Sequence, residues 1–114
     1  MIGLKEDKRA KTKSFFLNTK KNNFNKNHIY FLKKFYKKFT KDVRICLHEN
    51  SKSKHHDMII LQQKKNFYKP HKHKKKGETY HVMKGSMMCI IFYFHEKLHI
   101  YLMASWCDIY LKVF

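Results

Sequence analysis

The pattern His71-Lys72-His73, with Glu78 five residues on and Gly85 seven beyond that, constrains the fold of this chain more than any other feature. Histidines one residue apart on a β-strand point to the same side, because strand side chains alternate with period two. A carboxylate arriving from the next strand completes a facial N,N,O set on one divalent cation. Imidazole and carboxylate together suit zinc, iron, nickel or manganese. The pattern therefore predicts a small β-barrel holding one metal ion through His71, His73 and Glu78. With Glu78 inward, Tyr80 and Val82 follow it, while Thr79, His81 and Met83 face away, so His81 is a poor ligand candidate. A plain basic loop through Lys74, Lys75 and Lys76 explains the histidines and lysines, but not Glu78 and Gly85 at their offsets.

The surrounding pattern agrees with a β-structure. After Asp42, strand-like runs at 43–48, 56–63, 78–84, 87–94 and 98–103 alternate with polar or glycine-closed turns. Short strands at this spacing predict an antiparallel barrel or sandwich. Pro70 belongs at an edge or strand start, since it cannot donate to a ladder, and Gly85 makes a tight bend. Upstream, Ile29, Leu32, Phe35, Tyr36 and Phe39 fall at helical spacing between lysine pairs. They predict an amphipathic helix over 27–41, packed on one end of the barrel in preference to a membrane surface. Residues 1–26 are basic and poor in apolar side chains, and read as a flexible leader. Residues 27–114 then form one domain, the most that 114 residues support beyond a leader. Most large hydrophobes follow Met58, so the core is expected there.

A formal charge of +18 would suit a polyanion partner. Yet 24 lysines stand against two arginines, Arg9 and Arg44, and arginine is the residue that reads bases bidentately. Composition biased by an A+T-rich coding sequence is the stronger explanation, and nucleic acid is not the expected partner. The charged N-terminus has no apolar run behind it, so no secretory signal is read. No apolar run approaches the roughly 20 residues of a membrane span. Cys46, Cys89 and Cys107 are odd in number and widely spaced, which fits a reducing, cytoplasmic setting and buried thiols better than a disulfide framework.

The segment PHKHKKKGETYHVMKG, residues 70–85, resembles the first cupin motif, in which His-x-His, Glu and Gly stand at these intervals. The longer stretch from Arg44 to Phe92 resembles the WbuC family of cupin-fold metalloproteins, where an Arg-x-x-x-His strand, here Arg44 and His48, precedes the metal motif. The resemblance implies an all-β, double-stranded β-helix (jelly-roll) barrel, one bound divalent metal, and an association with surface-polysaccharide or O-antigen biosynthesis. The chain departs from the motif at Lys65, where glycine is usual. It departs again after Gly85, where no proline or glycine supplies a second cupin motif with its fourth ligand. The barrel is therefore expected to be incomplete, as a truncated or frameshifted copy or as a short variant completed by a homodimer.

Arg44 and His48 stand four apart on one strand, hence on one face, and are read as lining a pocket mouth for an anionic ligand. Tyr80 and His48 are the candidates for proton transfer. In His55-His56, adjacent residues point oppositely, so at most one approaches the site. The expected function is binding of a small carbohydrate-derived ligand at the metal, with the metal acting as a Lewis acid. Two alternatives stay open: a non-catalytic, metal-stabilised binding module, and a basic polyanion-binding protein.

Overall fold

Alternation along Val43–Cys46 and Asp57–Leu61 divides the fold into two faces. Val43 and Ile45 are fully buried on one, and Cys46 and Met58 are buried on the other. The computed structural model describes residues 3–64, 79–92, 98–105 and 110–113. Their elements, in chain order, are β1 (Leu4–Glu6), β2 (Lys13–Leu17), α1 (Lys26–Phe39), β3 (Val43–Cys46), β4 (Asp57–Leu61), β5 (Thr79–Val82), β6 (Gly85–Phe92), β7 (Leu98–Ser105) and β8 (Tyr110–Val113). Six strands form a mixed sheet in the order β1-β2-β3-β4-β8-β5, and β6 with β7 forms a separate antiparallel hairpin. Only β2 and β3 run parallel, with Ser14 opposite Arg44 and Phe16 opposite Cys46.

Parallel neighbours require a long crossover, and the segment carrying α1 supplies it. Asn25 caps the helix: its Oδ1 accepts from the Asn27 N–H at 3.0 Å, and its own N–H donates to His28 Nδ1 at 3.1 Å. The helix ends at Thr40, whose φ of 48° is left-handed and whose N–H donates to the Tyr36 carbonyl at 2.7 Å. Between these caps, Leu32 is fully buried, and Ile29, Phe31, Phe35 and Tyr36 pack with it on Phe15, Leu17, Val43, Ile45, Ile59 and Leu61. Phe15 meets the Phe31 ring edge-on at 5.0 Å. Each such fully buried side chain contributes about 1.5–3 kcal/mol, so this face is the main source of stability.

Residues 1–26 are not merely a flexible leader, because β1 and β2 lie within them and Phe15 and Leu17 are core residues. The helix packs across a sheet face rather than against a barrel end. The core is also not confined to the chain after Met58, since Phe15, Leu17, Leu32, Val43 and Ile45 precede it. The architecture is β-rich, as read from the sequence, with one helix. Gly85 has a φ of 92°, in agreement with a tight bend between β5 and β6. No helix among the described residues is long and apolar enough to cross a membrane.

Candidate functional site

The face opposite α1 is chemically different. Ser14 and Phe16 on β2, Arg44 and Cys46 on β3, and Met58 and Ile60 on β4 share it by register. The face continues across β8 to β5, because Met58 and Tyr80 are both opposite Lys112, and Ile60 and Val82 are both opposite Tyr110. Cys46, Met58 and Ile60 form its buried apolar patch, with Phe16 packed against them. Tyr80 is half-buried and Val82 is buried.

Arg44 has partners on this face. Its Nε donates to Ser14 Oγ at 2.6 Å, and its Nη1 lies 3.9 Å from Met58 Sδ. The Ser14 hydroxyl, only 1% exposed, donates in turn to the Thr12 carbonyl at 2.7 Å. A charge-assisted bond to a buried hydroxyl orients the planar guanidinium and leaves Nη2 as the donor with no hydrogen bond among the described residues. Burial pushes the Cys46 thiol up from its ordinary value, while the Arg44 charge opposes that rise. Cys46 is thus a buried packing residue of the apolar patch.

His48 lies two residues beyond β3, where the hairpin is still paired through the Leu47 N–H and the Asp57 carbonyl at 2.8 Å. Its Nδ1 is 3.0 Å from that same carbonyl. A carbonyl only accepts, so Nδ1 carries the proton and Nε2 of the neutral ring has a free lone pair. Burial holds the His48 pKa below the usual imidazole value; the bond to the Asp57 carbonyl opposes this, and His56 adds to it. The Phe16 ring meets His48 edge-on at 5.5 Å, and His56 stacks on it in parallel at 4.3 Å. His55 is exposed, so only one of the adjacent histidines joins the cluster.

Of the residues singled out from sequence, Arg44, His48 and Tyr80 are therefore associated with one half-polar sheet face. His71, His73 and Glu78 lie outside the described residues. Among the described residues, no group of three His, Cys, Asp or Glu side chains is placed to hold a metal ion. Ser14 and Phe16 were not readable as site residues, because nothing in a lysine-rich segment announces a strand parallel to β3. His56 could have been found from its place two residues before Met58.

A family model for a domain of unknown function, DUF6016, matches residues 41–100. The chain belongs to this family. The DUF6016 match takes in β3 through β6 and the start of β7, and with them Arg44, His48, the His71–Gly85 pattern and Tyr80. No curated protein and no solved structure gives a match to the chain.

Proposed function

We propose that this chain is a metal-binding, cupin-type protein that receives a small carbohydrate-derived ligand in surface-polysaccharide synthesis. The observation that supports the reading best is the register linking β5 to β4. It brings Tyr80 and Val82, which directly follow the His-x-His…Glu pattern in sequence, onto the face of Arg44 and Met58. Glu78 stands two residues before Tyr80 in the sequence. Two imidazoles and a carboxylate are chemically suited to one divalent ion, so the donor set of His71, His73 and Glu78 fits the group. The finer fold, a cupin jelly roll, is part of the same proposal.

A divalent ion held there would supply Lewis acidity toward ligand oxygens. Arg44, held at Nε by Ser14, presents its remaining donors to an anionic group such as a carboxylate or phosphate. His48 Nε2 accepts a proton or hydrogen bond from a ligand hydroxyl, and the depressed pKa keeps that nitrogen unprotonated at neutral pH. Tyr80, aligned with that face by register, is the other candidate for proton transfer. The test is a competition titration of the demetallated protein with zinc, manganese, nickel and ferrous iron, beside a His71→Ala/His73→Ala variant and Glu78→Gln. Saturable one-to-one binding lost in the variants supports the reading, and equal affinity in wild type and variants rejects it. A ligand screen by thermal shift, with and without metal, then separates a ligand-binding metal site from a metal that only stabilises the fold.

A further inference from the structure

The outer face of α1 has a composition that neither the core nor the proposed metal site uses. At 100° per residue, Lys26, Tyr30, Lys33, Lys34 and Lys37 fall within one stripe about 100° wide and about 16 Å long. All five are exposed, and Tyr30 is 68% exposed at the centre of the lysines. The helix contains no acidic residue. Among the described residues no carboxylate is within ion-pair distance of these lysines; the ion pairs present are Arg9–Asp7, Lys13–Glu6 and Lys20–Glu49. Lys33 and Lys37 are like charges four residues apart, an arrangement that disfavours an isolated helix. A helix that served only to cover the sheet would gain from acidic residues at such positions.

We propose that this stripe is a binding surface for single-stranded nucleic acid, read without sequence preference. Lysines neutralise phosphates as point charges, and an exposed aromatic ring among them offers a stacking platform that any base can use. The scarcity of arginine, which counts against base-edge readout, agrees with such indifferent binding. An anionic membrane is the poorer partner. A surface helix enters a bilayer with its apolar face, and here that face, Leu32 with Ile29, Phe31 and Phe35, is occupied by the protein's own sheet. The proposal is independent of the metal site.

The test is fluorescence anisotropy with labelled oligo(dT) and oligo(U) across a salt series, using the full chain. Wild type is expected to bind both with affinity falling steeply as salt rises. Replacing Lys26, Lys33, Lys34 and Lys37 with glutamine should reduce the log–log salt slope by about 2.8, at about 0.7 per contact for single strands. The matching arginine variant should retain binding, which separates lost charge from lost folding. Tyr30→Ala should weaken binding about tenfold with the slope unchanged, and His71→Ala/His73→Ala should bind like wild type. The proposal is overturned by a glutamine variant that keeps the wild-type slope, by a Tyr30→Ala protein of undiminished affinity, or by tighter binding to phosphatidylglycerol vesicles than to the oligonucleotides.

Discussion

Replacing Ser14 with alanine tests whether Arg44 is built into the sheet or merely rests on it. The hydroxyl is almost fully buried, accepts from Arg44 Nε at 2.6 Å and donates to the Thr12 carbonyl at 2.7 Å. A hydrogen bond to a charged group contributes about 1.5–3 kcal/mol, and a neutral one about 0.5–1.5 kcal/mol. Arg44 and Thr12 are half-buried, so water recovers part of both losses. Ser14→Ala is therefore expected to destabilise by about 2 kcal/mol. With a urea m-value of about 2 kcal/mol/M for a chain of this size, the midpoint falls by about 1 M at unchanged m. Arg44→Met removes the other partner, and the double variant completes a cycle whose coupling should be about 1.5 kcal/mol. A midpoint shift under about 0.2 M for Ser14→Ala, or strict additivity in the cycle, would refute the claim that Ser14 holds Arg44 in place.

Four further outcomes concern other parts of the fold. His48 has a lower pKa folded than unfolded, so the unfolded chain binds more protons below about pH 6.5. Its contribution is complete above that pH and is lost as pH falls toward the folded value; urea midpoints measured from pH 7.5 to 5 should decline, and less so in His48→Gln. The Cys46 thiol, buried and with a raised pKa, should resist iodoacetamide in the folded protein and react once urea unfolds it, as read by peptide mass mapping. Gly85→Ala, at a φ of 92°, should destabilise by about 1–2 kcal/mol, whereas Thr40→Gly, at a φ of 48°, should stabilise by up to about 1 kcal/mol in thermal unfolding.

The helix and the strands β3 and β4 were legible because periodicity and turn chemistry agreed. Ile29, Leu32, Phe35 and Tyr36 marked the buried side of α1, and the sequence range 27–41 lies within two residues of Lys26–Phe39 at each end. The runs at 43–48 and 56–63 enclose β3 and β4, and the short polar turn between them suits an antiparallel pair. The N-terminal strands were not legible. Phe15, Phe16 and Leu17 form too short an apolar run to outweigh the lysines around them, and their partner, β3, lies beyond a 14-residue helix. A parallel pair closed over that distance leaves no local trace in the sequence. For the site, two-residue alternation anticipated that Tyr80 and Val82 share a face, and the pairing through β8 aligns them with Met58 and Ile60 of β4. The anchoring of Arg44 by Ser14 depended on the unread strand and could not be anticipated.

Elemental analysis of metal per chain would decide whether His71, His73 and Glu78 hold an ion. Protein purified without a histidine tag should contain close to one equivalent of a first-row divalent metal. His71→Ala/His73→Ala, with an unchanged circular dichroism spectrum, should contain almost none. Folded wild-type protein free of metal, or a variant that keeps the wild-type content, would contradict the claim.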